Sequence, residues 1–380
     1  MRAAADRAMS PPFSSRRGFL ATGAVAIVAA CSRSPGGGGS ASSSASPGPQ
    51  PSTGSEPPKK PMAGAPKEGD IKLPAGATMP MRALGKTGER VSLMGLGGFH
   101  IGLPKEESEA VRIIRRAIDA GVTFLDNCWD YNEGKSEERM GKALLDGYRE
   151  KAFLMTKLDG RTKQSAADQL VQSLARLQTS SIDLVQVHEV IRLTDAERVF
   201  GAGGAIEALM QAKAAGKLRF IGFTGHKDPS IHLHMIETAA SKGFTFDALQ
   251  MPINVMDAHY QSFEKRVLPV AQAKGMGVLG MKSMGSGIIL ESQAVTAREC
   301  LRYAMSRPVS VVITGCDTMG VLEQALEAAC SFAPPPDAEI AAILAKTEAI
   351  AKDGKYEQFK TSERFDGTTK NPKWLEGSAI

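Results

Sequence analysis

Short apolar runs alternate with amphipathic segments eight times between about residue 90 and residue 330, and this repetition constrains the fold more than any other feature. The runs are VSLMGLGG, TFLDN, FLMTKL, IDLVQVH, RFIGFTGH, ALQMPINV, GVLGMKSM and VSVVITGC. Each precedes a segment with apolar residues at helical spacing, such as Val111, Ile114 and Ile118. Apolar strands alternating with helices indicate a parallel sheet. Eight units predict a closed (β/α)₈ TIM barrel, whereas a doubly wound sheet, the alternative, normally has fewer strands.

The residues around this repeat fit the same architecture. Gly121, Gly216, Gly243 and Gly275 each follow a predicted helix, where a left-handed cap favours glycine. The segment MRALGKTGERVS predicts an N-terminal β-hairpin with glycine at its turn, which we expect to cover the N-terminal mouth of the barrel. We therefore assign residues 79–335 to the barrel and residues 336–380 to a C-terminal helix and tail.

The first 31 residues have the pattern of an export signal. Arg16 and Arg17 precede an apolar stretch that ends at Cys31 and is shorter than the roughly 20 residues that a membrane span needs. The segment resembles a twin-arginine signal, and its VAAC ending resembles a lipoprotein cleavage box. The resemblance implies export by the twin-arginine machinery to the periplasm, with a lipid anchor at Cys31. Cleavage by an ordinary signal peptidase is the alternative.

Residues 32–78 are rich in Gly, Ser and Pro, which indicates a disordered linker because such a segment buries too little surface to offset its ordering entropy.

The leader carries three of the five net positive charges, so we do not expect the remainder to bind nucleic acid. Beyond the leader remain Cys128, Cys300, Cys316 and Cys330, without a CxxC pair. This spacing predicts neither a metal site nor an iron–sulfur cluster.

Polar side chains lie at the ends of three consecutive predicted strands. Asp126 ends the second strand, Lys157 the third and His188 the fourth, while Tyr131 follows Asp126 by a short turn. Each residue alone has a structural explanation, as a turn cap, a solvated strand end or a core residue. The C-terminal strand ends of a (β/α)₈ barrel form its active site, so the coincidence of all four predicts one.

These four side chains suit proton transfer to a carbonyl oxygen. A free tyrosine has a pKa of about 10, and we expect the Lys157 ammonium to lower the pKa of Tyr131. Asp126 is expected to keep Lys157 charged, and His188 to orient the substrate carbonyl. No nucleophile motif accompanies them. The carbon atom is therefore expected to receive a hydride from a bound nicotinamide.

At this point the sequence resembles the aldo-keto reductase family. In FLDNCWDYNEGKSEERMGKAL an Asp and, five residues later, a Tyr precede Ser-Glu and Gly, as in that family's second strand. The resemblance covers roughly residues 80–330. It implies Tyr131 as the general acid/base, Asp126 and Lys157 as the residues that tune it, and His188 as the orienting residue.

The resemblance also implies contacts to NADP(H) or NAD(H) in the loops that follow the strands. These contacts are Gly98, Phe99, Thr224, Gly225, Gln250, Met281, Lys282, Ser283, Gly315, Cys316 and Gln324. Met281 stands where a stacking Tyr is common, and Gly315-Cys316 stands where members that prefer NADPH have Lys-Ser and a later Arg. The preference between the two cofactors is therefore open, and Lys282 is the nearest cation for a phosphate.

The expected function is reduction of an aldehyde or ketone by NAD(P)H, with a small carbonyl compound as substrate. Trp129 and His100 are expected to contact that substrate, and the C-terminal tail either folds over the barrel mouth or stays on the surface. One alternative is an exported nucleotide-binding or sensory lipoprotein with little turnover, since the stacking and phosphate-binding residues are replaced. An isomerase or hydrolase, a second alternative, needs a metal or phosphate site that no sequence pattern indicates.

Overall fold

The architecture is a closed barrel of eight parallel strands, seen in a computed structural model that describes residues 65–376. The strands are β1 (Met81–Ala83), β2 (Arg90–Ser92), β3 (Met94–Gly97), β4 (Phe124–Leu125), β5 (Phe153–Leu158), β6 (Ile182–Val187), β7 (Leu218–Thr224), β8 (Ala248–Pro252), β9 (Gly277–Met281) and β10 (Val311–Gly315). Strands β3 to β10 pair in chain order, and β10 closes the barrel against β3. The barrel prediction is confirmed and the doubly wound alternative is wrong. The predicted signal and most of the linker lie outside the described residues.

At least one helix follows each barrel strand, and four more follow the barrel. The helices are α1 (Gly98–Ile101), α2 (Glu107–Asp119), α3 (Lys135–Ala143), α4 (Lys163–Arg176), α5 (Thr194–Phe200), α6 (Ala205–Ala214), α7 (Pro229–Ser241), α8 (Phe263–Arg266), α9 (Leu268–Lys274), α10 (Ala297–Ser306), α11 (Met319–Cys330), α12 (Asp337–Ala351), α13 (Gln358–Thr361), α14 (Gly367–Lys370) and α15 (Lys373–Glu376). None of the helices in residues 65–376 is both long and apolar enough to cross a membrane.

The helices form where apolar residues share one face. In α2, Ala110, Ile113, Ile114, Ala117 and Ile118 are buried against the strands, while its acidic first turn faces solvent and complements the helix dipole. The predicted glycine caps are confirmed, because Gly121, Gly216, Gly243 and Gly275 all have φ between 71° and 90°.

The predicted hairpin is also confirmed, and it covers the N-terminal end of the barrel. Strands β1 and β2 pair antiparallel, and Leu84 in their turn is fully buried in the cluster that fills the barrel interior. The backbone N–H of Lys86 donates to the Gly275 carbonyl oxygen at 2.9 Å, just before β9. A side chain at Gly85 would lie 2.3 Å from the Gly277 nitrogen, so only glycine fits this approach. The opening of the barrel is therefore at its C-terminal end.

The C-terminal tail folds back over that opening rather than remaining on the surface. The Glu189 carboxylate, in the loop after β6, accepts hydrogen bonds from the backbone N–H groups of Gly367 and Thr368 at 3.0 and 2.7 Å. The Lys360 ammonium is fully buried and donates to Asp257, in the loop after β8, at 2.7 Å. These paired, buried charges fix helices α13 to α15 on the barrel mouth.

Candidate active site

A cavity of about 580 Å³ opens at the C-terminal mouth of the barrel. Every barrel strand contributes to its wall through its last residue or a residue close by. These wall residues are Gly97, Asp126, Lys157, His188, Thr224, Gln250, Met281 and Gly315. As predicted, the structure brings four residues together at this cavity: Asp126, Tyr131, Lys157 and His188.

Lys157 is the centre of the polar cluster. Its ammonium donates to the Asp126 carboxylate, to the Asn127 carbonyl oxygen at 2.8 Å and to the Tyr131 hydroxyl at 3.2 Å. The side chains of Lys157 and Asp126 are buried. The Lys157 nitrogen thus has three oxygen neighbours, each of which can accept a hydrogen bond. Each of the three residues predicted to end a strand lies within one residue of the observed strand end. Lys157 is the second-last residue of β5, while Asp126 and His188 directly follow the last residues of β4 and β6.

The ring of Tyr131 is held by its backbone and by two aromatic neighbours. Asn132, Glu133 and Gly134 have φ values of 54°, 61° and 88°, so three consecutive left-handed residues turn the chain immediately after the tyrosine. The ring meets Phe99 and His188 edge to face, with centroids 5.6 and 5.8 Å away. This packing points the hydroxyl at Lys157.

The electrostatic environment of Tyr131 differs from the sequence-based expectation. Removal of the phenol from water raises the pKa of Tyr131 well above its ordinary value, and the Asp126 carboxylate raises that pKa further. The predicted direction of the pKa shift is therefore wrong, because burial and the Asp126 carboxylate outweigh any lowering by the Lys157 ammonium. Tyr131 is a neutral phenol at physiological pH.

His188 contacts three side chains through its Nδ1 atom. That nitrogen lies 2.8 Å from Asp159 Oδ1, 3.2 Å from Cys128 Sγ and 3.6 Å from Asp130 Oδ1. Burial lowers the pKa of His188, and it raises the pKa of Asp159 to about 7 and that of Asp130 to about 6. The sequence analysis missed Asp159, although it directly follows β5 as Asp126 follows β4.

The structure brings most of the predicted cofactor contacts into the cavity wall. Those in the wall are Gly98, Phe99, Thr224, Gln250, Met281, Lys282, Ser283, Gly315 and Gln324, together with the predicted substrate contact His100. Three predicted residues lie outside the lining. Gly225 packs against the Val190 carbonyl oxygen, and the Cys316 side chain is buried in the core. The Trp129 ring packs against Trp374 on α15, with ring centroids 5.7 Å apart, and is not part of the cavity wall.

Unpartnered polar atoms in the wall indicate where a ligand with hydrogen-bonding groups would be held. Gln250 donates through Nε2 to Asp126 Oδ2 at 2.8 Å, which leaves its Oε1 atom buried without a hydrogen-bond partner. The Thr314 hydroxyl is likewise buried and unpartnered. A side chain at Gly98 would lie 2.4 Å from the Asp126 carbonyl oxygen, so the backbone itself forms that part of the wall. These features fit an amide-bearing, flat group such as a nicotinamide.

Two charged residues of opposite sign line the cavity in the loops after the neighbouring strands β9 and β10. Lys282, with φ of 55°, places its ammonium 5.3 and 4.8 Å from the ring centroids of Phe359 and Phe365 in the tail. Asp317, in the loop after β10, lines the wall as well. Sequence analysis missed both Asp317 and Phe365, because neither belongs to a local motif. It also missed Pro66 of the predicted linker, which reaches the same wall.

Comparisons with known proteins agree with this architecture. The "uncharacterized oxidoreductase YrpG" of Bacillus subtilis (strain 168) is 30% identical over 226 residues, covering 54% of this chain and 67% of that protein. L-galactose dehydrogenase of Arabidopsis thaliana is 30% identical over 231 residues, covering 56% and 67%. The holo form of an aldo-keto reductase from Bacillus halodurans, at 22% identity, superposes with a TM-score of 0.58 over 70% of this chain and 96% of its own.

The profile of the Aldo/keto reductase family matches residues 93–299, which is more than half of the chain and includes Asp126, Tyr131, Lys157 and His188. Its members use NAD(P)H, and the relatives named as oxidoreductases agree with that chemistry. The protein therefore belongs to the aldo/keto reductase family and is an NAD(P)H-dependent oxidoreductase.

Proposed function

We propose that the protein reduces the carbonyl group of a small aldehyde or ketone, with Tyr131 as the general acid. The observation that carries this proposal is the position of the Lys157 ammonium between the Asp126 carboxylate and the Tyr131 hydroxyl. A neutral phenol is the form that can donate a proton when the carbonyl oxygen gains charge. Lys157 then stabilises the resulting phenolate, which offsets part of the pKa increase that burial and Asp126 cause.

The remaining residues position the reactants. A reduced nicotinamide, when bound, supplies the hydride. The Gln250 Oε1 atom would accept from its carboxamide, and Gly98 leaves room for the ring. His188 lines the cavity beside Tyr131 and would donate to the carbonyl oxygen through Nε2 when Asp159, whose pKa burial raises to about 7, is protonated and donates to Nδ1. Phe365 in the tail would bound the substrate end of the cavity.

We also propose a preference for NAD(H). The cavity wall of the described residues contains the ammonium groups of Lys157 and Lys282, and these face Asp126 and the tail rings respectively. Asp317 instead lies in the loop after β10, where members that prefer NADPH carry basic residues. Its carboxylate would repel a 2′-phosphate and can accept a hydrogen bond from a free ribose hydroxyl.

One experiment tests the main proposal. The purified protein is denatured to release and identify any bound nucleotide, and NADH and NADPH oxidation is followed with a panel of aldehydes, ketones, quinones and sugars. Tyr131→Phe should lower kcat by at least about 100-fold without loss of nucleotide binding. Tyr148→Phe, a change outside the cavity, serves as the control. Nucleotide binding without Tyr131-dependent turnover would instead support the binding or sensory protein.

Export by the twin-arginine route remains our proposal for the protein's destination, to the periplasm or to a membrane facing it. It rests on Arg16, Arg17 and the apolar stretch that ends at Cys31. Cell fractionation of the wild type and of the double variant Arg16→Lys/Arg17→Lys tests the route, and accumulation of both in the periplasm would contradict it. Cys31→Ala should abolish incorporation of a labelled fatty acid if the lipid anchor exists.

A further inference from the structure

Beside His188 lie three side chains, Cys128, Asp130 and Asp159, that take no direct part in proton transfer by Tyr131. Cys128, Asp130, Asp159 and His188 each offer one potential ligand atom, and these four atoms lie within 4.8 Å of one another. They come from the loops after β4, β5 and β6, so the barrel itself brings them together. The sequence spacing gave no indication of this cluster, because the loops are separated along the chain by whole strand–helix units.

The separations from His188 Nδ1 are close to those in a tetrahedral metal site. Ligand bonds of about 2.0–2.3 Å to zinc place neighbouring ligand atoms about 3–4 Å apart. His188 Nδ1 lies 3.2 Å from Cys128 Sγ and 3.6 Å from Asp130 Oδ1. Asp159 Oδ1 is nearer, at 2.8 Å from the same nitrogen, and all four potential ligand atoms lie within 4.8 Å of one another.

Two carboxylate oxygens of the cluster have no hydrogen-bond partner among residues 65–376. These are Asp159 Oδ2 and Asp130 Oδ1, which are both buried, and Asp159 is completely inaccessible to solvent. Buried carboxylate oxygens are normally hydrogen-bonded or bound to a metal, because burial without a partner costs free energy. These atoms are the second, independent indication that a ligand belongs here.

The nearby cations make their direct contacts with other groups. Lys157 is paired with Asp126, and Arg161 donates to Asp195 and to backbone carbonyl oxygens, including that of His188. The carboxyl groups of Asp130 and Asp159 lie close enough to repel each other when ionised. A divalent cation bound between them would offset this repulsion.

We propose that Cys128, Asp130, Asp159 and His188 bind one divalent transition-metal ion of the zinc class. Thiolate and imidazole ligands favour zinc over magnesium or calcium, and four protein ligands describe a closed, structural site. The Cys128 thiol releases its proton to solvent on binding. Coordination of the metal ion by Nδ1 would hold the remaining imidazole proton of His188 on Nε2. The proposed reductase function needs a donor to the substrate carbonyl at this atom. This link to catalysis rests on the proposed function, whereas the metal site itself does not.

The test uses the full-length protein. Metal content is measured after purification, and the chelator-treated protein is titrated with Co²⁺ while its visible bands and its thiolate-to-cobalt charge-transfer band are recorded. We expect one equivalent of metal per chain and a charge-transfer band. Cys128→Ser should abolish that band, and Asp159→Asn should weaken Co²⁺ binding by about 10-fold or more.

Two control variants make the result specific. Cys330→Ser, which removes a half-buried thiol on α11, and Tyr131→Phe should both retain the cobalt spectrum. Asp130→Asn, at a partly exposed position, provides a second variant in case Cys128→Ser does not fold, and it should weaken cobalt binding. Failure to bind a stoichiometric metal, or a charge-transfer band that persists in Cys128→Ser, overturns the proposal. Turnover of Tyr131→Phe reports on the reductase function separately.

Discussion

At the scale of single residues, Lys157 shows how one buried charge serves both folding and chemistry. It neutralises the buried Asp126 carboxylate and lies 3.2 Å from the Tyr131 hydroxyl. Removing one member of a buried ion pair leaves the other charge without compensation, whereas removing both can be nearly neutral. Stability and catalysis therefore depend on the same ammonium for different physical reasons.

We expect Lys157→Met to lower the free energy of unfolding by about 3–5 kcal/mol and kcat by about 100-fold or more. Lys142→Met, which breaks an exposed ion pair with Glu107, should change stability by less than about 1 kcal/mol. The double variant Asp126→Asn/Lys157→Met should recover most of the stability but none of the activity. Urea unfolding and steady-state kinetics check this, and recovery of activity in the double variant would contradict the proposed role.

His232, buried in α7, gives a residue-scale prediction about pH. Burial lowers the pKa of His232 to about 4, with His226 adding to the effect and Asp228 opposing it. The unfolded chain takes up the proton near pH 6.5 and the folded chain near pH 4, so acidification between these values favours unfolding. His232 should therefore contribute about 2 kcal/mol to the loss of stability between pH 8 and pH 5.

The measurement compares urea unfolding of the wild type and His232→Asn at these two pH values. The variant is expected to be less stable at pH 8 but to lose less stability on acidification. His234→Asn, on the same helix but partly exposed and paired with Glu197, is the control. Equal pH dependence in the wild type and His232→Asn would show that His232 is not held neutral.

At the scale of elements, the N-terminal end of the barrel contributes to stability and the C-terminal end forms the candidate active site. The β1–β2 hairpin covers the N-terminal end and places Leu84 in the barrel interior, while helices α13 to α15 shape the C-terminal mouth. Because the candidate active site lies at the C-terminal end, changes at the hairpin should alter stability without altering chemistry.

Leu84→Ala should therefore lower the free energy of unfolding by about 2–5 kcal/mol, through lost burial and the cavity that it leaves. The KM values and kcat of the folded fraction should stay within about twofold of the wild type. Leu145→Ala, which truncates a leucine with 45% of its surface exposed, is the matched control and should change stability by less than about 0.5 kcal/mol. A selective loss of kcat in Leu84→Ala would show that the two ends are coupled.

At the scale of the whole molecule, cofactor binding and folding are linked. A ligand that binds only the folded chain stabilises it by about 2.7 kcal/mol at 100 times its Kd. Residues from every barrel strand and from the tail line the cavity. A bound cofactor would therefore contact elements along the whole length of the barrel domain. Thermal stability therefore reports cofactor preference without any knowledge of the substrate.

We expect NADH to raise Tm by several degrees and NADPH at equal concentration to raise it less, because Asp317 repels the 2′-phosphate. Asp317→Ser should narrow the difference, and Asp317→Arg should reverse it. Differential scanning calorimetry with each nucleotide checks this, with Glu323→Ser on α11 as an acidic control outside the cavity wall. A larger Tm increase with NADPH in the wild type would contradict the preference for NAD(H).

The amino-acid sequence by itself determined the barrel, the hairpin and the four residues of the candidate active site. These features follow from local rules, since periodic burial identifies strands and helices, and parallel strands place their C-terminal ends at one mouth. Asp126, Lys157 and His188 could be predicted because each needs only its own strand to be positioned.

Only the tertiary structure decided the features that depend on residues meeting across the fold. Burial of the phenol and the Asp126 carboxylate raise the pKa of Tyr131, contrary to the prediction from Lys157 alone. Asp159 reaches His188 from the neighbouring strand, and Phe365 returns to the cavity from the tail. Packing sets these distances and the removal of water, and both act between residues far apart in the chain, where local periodicity carries no information.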